Sequence, residues 1–91
     1  MRTDTKRNCG DRLKRIEGQV RGIARMIEED RYCIDVLTQV RAVRAALRGV
    51  EDEVLKDHVE HCVRESIEKG GLEADEKIEE LTAAVERFLR V

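Results

Sequence analysis

Between Arg31 and Gly70 nothing in the chain obliges a helix to stop. The 91 residues contain no proline, and the one glycine inside that stretch, Gly49, bends a helix more readily than it ends one. The first clear breaker is Gly70-Gly71. At 1.5 Å per residue such a helix is ~50 Å long or more, which is unusual in so small a domain. Val36, Val40, Val43, Leu47, Val50 and Val54 recur at alternating steps of four and three, the heptad spacing of a seam for another long helix. With 42% charged and 2% aromatic residues, the chain is too polar and too poor in rings for a conventional monomeric core. Its apolar faces must close against other copies or a partner. A sandwich or barrel, which needs many tight turns, is disfavoured, and the expected class is an all-α oligomer.

Two shorter helices flank the long one. Leu13, Ile16, Val20, Ile23 and Ile27 share an ~80° sector at 100° per residue. Lys14, Gly18, Arg21, Gly22 and Arg25 fall on the opposite side, with Arg15 at its edge. A glycine inside a helix costs about 1 kcal/mol relative to alanine, so two on one basic face suggest that another molecule or helix approaches the backbone there. After Gly71, Ile78, Leu81, Val85 and Phe88 mark the inward face of the last helix, with Glu73, Asp75 and Glu76 in its first turn, where the dipole favours anions. The expected organisation is a polar arm over residues 1–10 and one helical domain over 11–91, three helices in all. No stretch approaches the ~18 apolar residues of a membrane span, and the charged N-terminus lacks the apolar run of a signal peptide. A soluble, cytoplasmic protein is expected, in which three cysteines are better read as metal ligands or reactive thiols than as disulfides.

The net charge of −2 conceals a division: residues 1–48 carry a net +5 and residues 49–91 a net −7. The first 25 residues already hold the whole positive excess, 8 basic against 3 acidic side chains. Local charge, not net charge, attracts phosphate. The basic residues form either an ordinary solvated helix face or a surface for nucleic acid, whose phosphates Lys14, Arg15, Arg21 and Arg25, with Arg12 nearby, would contact. Arg41, Arg44 and Arg48, within ~60° of one another on the long helix, either extend that surface or pair with the acidic half at subunit contacts.

His58 and Cys62 lie four residues apart, one helical turn, on one face. Cys33 returns to within ~20° of that face but lies ~37 Å away along a continuous helix, far beyond side-chain reach. Cys33 of one chain can join His58 and Cys62 only of another. Two long helices packed antiparallel about a two-fold axis, centred near Ala46 and Leu47, would form two such sites, and small Ala45 and Ala46 permit close approach. The seam and the ligand spacing thus lead separately to one dimer. Two thiolates and one imidazole form a soft, three-coordinate set that suits Cu(I) better than structural tetrahedral zinc. His61 sits ~60° or more off the shared face and is expected to be a partly exposed seam histidine. Cys9, with no His or Cys nearby, is expected to be a free thiol in the arm.

Three runs, RLKRIEGQVRGI from Arg12, DRYCIDVLTQV from Asp30 and DHVEHCV from Asp57, closely resemble the copper-sensing operon repressor family of bacterial transcription regulators. The resemblance extends from Asp11 to Leu89. It implies an antiparallel dimer forming a four-helix bundle, two such dimers making a homotetramer, and a repressor without a helix-turn-helix that binds operator DNA when metal-free. It implies one Cu(I) per protomer at a dimer interface, held by Cys33, His58 and Cys62, whose binding releases DNA and derepresses copper efflux or resistance genes. A copper chaperone is a candidate metal donor. Tyr32 matches the tyrosine that the family places beside the ligands to couple metal to DNA, and the IxEL pattern at Ile78 to Leu81 points to Glu80 as the coupled glutamate, with Glu79 as the alternative register. Relatives sensing nickel, cobalt or formaldehyde lack the second cysteine or replace it with histidine, and persulfide sensors lose the histidine; all three copper-type ligands stand here.

The nearest rivals are a persulfide or thiol sensor, or a zinc, nickel or cobalt repressor, of the same family. A helical interaction protein with a structural metal or none, using its charged faces to bind other proteins, is further off, and a metal-buffering protein gives no reason for the basic face. With no nucleophile and base pair away from the ligand set, and no phosphate-cradling glycine loop, an enzyme is not expected.

Overall fold

The structure is a computed structural model in which residues 1–89 are described; positions 90 and 91, the end of the expected domain, lie outside them. The chain is helical from near its start: α1 spans Thr3–Glu28, α2 spans Cys33–Asp57, a π-helical segment spans His58–Val63, α3 spans Arg64–Lys69 and α4 spans Gly71–Leu89. The long central helix is present, running from Cys33 to Lys69 with the π segment set into it, and Gly49 does not end it. Two compact units divide the chain, Arg2–Leu55 and a second that begins at Lys56.

The expected polar arm is instead the first turns of α1. Nothing before Gly10 breaks a helix, Asp4 complements the dipole in the first turn, and Thr5 and Cys9 are buried. The helix ends in a Schellman motif: the Asp30 N–H donates to the Ile27 carbonyl at 3.2 Å and the Arg31 N–H to the Met26 carbonyl at 2.9 Å. The left-handed residue of that motif is usually glycine, but here it is Asp30, at φ 53°.

Within the first unit α1 and α2 are antiparallel. Asn8 Nδ2 donates to Glu53 Oε1 at 3.3 Å, and a Cβ at Gly49 would collide with the Arg12 guanidinium, so advancing four residues on α1 retreats four on α2. At 100° per residue the buried Thr5, Cys9 and Ile16 form one narrow stripe that continues to the half-buried Ile23 and Met26. This stripe is offset from the purely apolar one: Leu13, Val20 and Ile27 are 43, 50 and 62% exposed. On α2 only Val43 of the heptad seam is buried, and Leu47 is exposed. Of the two apolar edges of α1, one is buried and the other is exposed.

In the second unit α4 packs on α3 and on the π segment, around Val63 and Ser66. The reversal is made by Gly70 and Gly71, at φ 72° and 66°, both in the left-handed region that glycine enters without a Cβ penalty. The Gly70 N–H closes α3 on the carbonyls of Ser66 and Ile67, at 3.2 and 3.0 Å. The inward edge of α4 is Ala74, Lys77, Leu81, Ala84 and Val85, so Leu81 and Val85 lie where expected. Ile78 and Phe88 do not; they are exposed, because α3 is too short to cover a wider face. No helix among the described residues is long and apolar enough to cross a membrane.

Candidate metal centre and nucleic-acid interface

The three expected ligands stand at the two ends of α2. Cys33 is its first residue and is exposed; His58 and Cys62, both half-buried, fall in the π segment that follows its last. A 25-residue α-helix is itself ~37 Å long. Accordingly, among the described residues of one chain no three His, Cys, Asp or Glu side chains gather to hold a metal ion. His58 and Cys62 share the π segment as a candidate half-site, without Cys33.

The π winding matters for that half-site. In a π turn of about 4.4 residues with i→i+5 bonds, Cys62 lies ~30° to one side of His58, where an α-helix would put it ~40° to the other. The pair stays on one face, but that face is re-aimed. No glycine or proline forces the change, since the segment reads HVEHCV. The same winding carries His61 further from His58, to more than 100° away. Its Nε2 lies 3.9 Å from Glu60 Oε2, and it opens on a shallow cleft with Arg64, Glu65 and Glu68. His61 is thus the partly exposed histidine expected of it, though it faces this acidic cleft.

Asp57 was not singled out in the sequence. It is the last residue of α2, next to His58, and at 5% exposure the one buried charged side chain among the described residues. Burying a carboxylate is costly unless it is partnered, and Asp57 is engaged in a polar interaction. The only signal in the sequence was the Asp-His pair itself, which is too common to be informative. Tyr32 is 69% exposed in the turn before Cys33, and its carbonyl accepts the Val36 N–H at 3.2 Å. Glu80 lies on α4 with Oε2 3.8 Å from Lys77 Nζ. Cys9, expected in an arm, is instead sequestered in α1.

All eight expected DNA-contacting side chains, Arg12, Lys14, Arg15, Arg21, Arg25, Arg41, Arg44 and Arg48, are exposed. Lys14, Arg21 and Arg25 lie opposite the buried stripe of α1 and form an open basic face. Arg12 does not belong to that face; its position falls within the stripe that meets α2. A Cβ at Gly22 would touch nothing within 4 Å, and at Gly18 only Arg21 Nη2 at 3.9 Å. Among the described residues no neighbour accounts for either glycine.

Comparison with known proteins bears on this arrangement. Residues 5–87 match the family described as metal-sensitive transcriptional repressor. The copper-sensing transcriptional repressor RicR of Mycobacterium tuberculosis is 56% identical over 88 residues, 97% of this chain and 92% of that protein. The copper-sensing transcriptional repressor CsoR of Bacillus subtilis is 48% identical over 80 residues, 88% of this chain and 77% of that protein. Among solved structures, the copper-sensing repressor CsoR with Cu(I) from Geobacillus thermodenitrificans superposes with a TM-score of 0.89 at 42% identity, covering 98% of this chain and 91% of the other. The nickel-responsive transcriptional regulator InrS gives 0.78 at 39% identity, with 90% of each chain covered. Helical among its described residues and matched along nearly its whole length, the chain belongs to the metal-sensitive transcriptional repressor family.

Proposed function

We propose that this protein is a Cu(I)-responsive repressor, which binds operator DNA when metal-free and releases it when Cu(I) occupies a site shared between two protomers. The observation that carries the reading is the placement of Cys33 at one end of α2 and of His58 and Cys62 past the other. Antiparallel pairing of two α2 helices is the simplest arrangement that unites them, and it also covers the exposed edge of the heptad seam. An isologous two-fold contact supplies two equivalent sites, one ion per protomer. The open Leu13, Val20 and Ile27 edge of α1 would close in the same assembly, with pairing of dimers into a tetramer as the fuller form.

The donor set fits a soft monovalent ion. Two thiolates and a neutral imidazole satisfy trigonal Cu(I), whereas zinc would lack a fourth protein ligand, His61 being turned away. Cys33 from one protomer and His58 and Cys62 from the next would tie the two ends of the bundle together. Tyr32 and Glu80 are the neighbours proposed to carry that change outward. Lys14, Arg15, Arg21 and Arg25, with Arg12, would contact phosphates, and Arg41, Arg44 and Arg48 would extend the surface. Coupling between sites is reciprocal, so bound DNA must weaken Cu(I) affinity by the factor by which Cu(I) weakens DNA affinity. The genes controlled would be those of copper efflux or resistance, in the cytoplasm.

A nickel-responsive structural neighbour makes a different metal the second reading. Titration of a fluorescent duplex from the protein's own promoter, with Cu(I), Zn(II), Ni(II) and a persulfide donor in separate arms, decides between them. Cu(I) alone should release the DNA at stoichiometric concentration. Cys33→Ala and His58→Ala proteins should bind the duplex and fail to release it; normal release by both would sink the proposed site.

A further inference from the structure

Arg12 occupies a position where a charged residue needs explaining. At 100° per residue it falls within ~60° of Thr5, Cys9 and Ile16, the stripe that α1 buries, and well away from Lys14, Arg21 and Arg25. Its side chain nevertheless reaches solvent. It extends across α2, where the Arg12 guanidinium occupies the place where a side chain at position 49 would begin, and among the described residues it is the only group that a Cβ there would meet. One helical turn away, the Asn8–Glu53 hydrogen bond fixes the register that brings Arg12 and Gly49 opposite each other. A glycine in mid-helix carries a penalty in helix stability, so a compensating function is expected.

We propose that Gly49 is a seat for the Arg12 guanidinium, which holds this cation in place at the α1–α2 crossing as a preset contact for a DNA backbone phosphate. A planar guanidinium lies flat against bare backbone and still presents N–H donors outward, which a lysine ammonium does not do as well. Seating also removes rotamer freedom before DNA arrives, so less is lost on binding. Arg12 thereby differs from the freely exposed cations of α1, and Gly49 acts through it as a positioning residue. The proposal rests on the reading that this chain binds operator DNA.

The test is a double-mutant cycle on the promoter duplex, followed by fluorescence anisotropy across a salt series, with wild type, Gly49→Ala, Arg12→Ala and the double variant. Gly49→Ala should weaken binding on the order of threefold or more, although its thermal midpoint does not fall, since alanine favours the helix and displaces only the end of a flexible side chain. Arg12→Ala should weaken binding further and lower the slope of log Kobs against log[salt] by about one for each phosphate that is no longer neutralised. In the Arg12→Ala background the alanine at position 49 should change nothing more. Wild-type affinity in Gly49→Ala, or an equal loss with and without Arg12, overturns the seat and leaves the DNA reading standing. A wild-type protein that binds no duplex overturns both.

Discussion

Asp30→Gly should stabilise the protein, and the gain can be worked from the turn between α1 and α2. Asp30 holds φ 53° so that its own N–H and that of Arg31 can close the Schellman motif on Ile27 and Met26. For an L-residue the left-handed region costs about 1–2 kcal/mol, less for aspartate, whose short side chain can bond locally. Glycine removes that cost but adds about 0.5–1 kcal/mol of unfolded-chain entropy. The net expectation is a gain of about 0.5–1 kcal/mol per protomer, and Asp30→Ala should lose a similar amount because it keeps the Cβ without the polar group. Asp30 is exposed, so neither change disturbs packing. Thermal unfolding at fixed protomer concentration reads the effect, a rise of a few degrees for a domain of this size. The turn delivers Tyr32 and Cys33, and glycine preserves its geometry, so the Cu(I) response of Asp30→Gly should be unaltered. Alanine matching or exceeding glycine would refute the left-handed assignment and the account of how Cys33 is placed.

Other consequences follow from the second unit. Gly70→Ala and Gly71→Ala should each destabilise by about 1 kcal/mol in denaturant titration, wholly through backbone strain, since nothing lies within 4 Å of either added Cβ. An unchanged midpoint in both would contradict the positive φ values. Val63→Ala, at a residue 4% exposed between the π segment and α4, should cost about 1–3 kcal/mol through the cavity it leaves, whereas Val59→Ala, largely exposed, should cost little. Equal effects of the two would place the π segment in the wrong rotation.

Much of the fold was legible because the chain punctuates its helices so sparsely. The absence of proline and the Gly70-Gly71 pair announced the long central helix. What remained hidden depended on tertiary contact. Thr5 and Cys9 read as a polar arm because neither marks a buried face by type; only the folded structure shows them inside. The apolar positions of α1 share one sector, but periodicity does not say which edge is covered: Ile16 is buried and Ile23 half-buried, while Leu13, Val20 and Ile27 are exposed. The φ of Asp30 and the π winding at His58 leave no compositional mark, the first because aspartate is tolerated in turns, the second because HVEHCV is ordinary helical sequence. The separation of Cys33 from His58 and Cys62 was legible for a geometric reason: spacing along a helix is one of the few tertiary distances that a sequence states directly.

The central claim, that one metal site is built from two chains, is tested most directly by complementation. Cys33→Ala and His58→Ala chains each lack a complete site in their own dimers, but a hybrid dimer reunites Cys33 of the second with His58 and Cys62 of the first. Chains unfolded together, refolded and examined by native mass spectrometry with Cu(I) and a competing chelator should give hybrid dimers carrying one ion, with parent dimers bare. Random pairing predicts recovery of about a quarter of the wild-type sites under two-fold symmetry. Hybrid dimers that carry no Cu(I), or a Cys33→Ala protein that binds it as wild type does, would contradict the account.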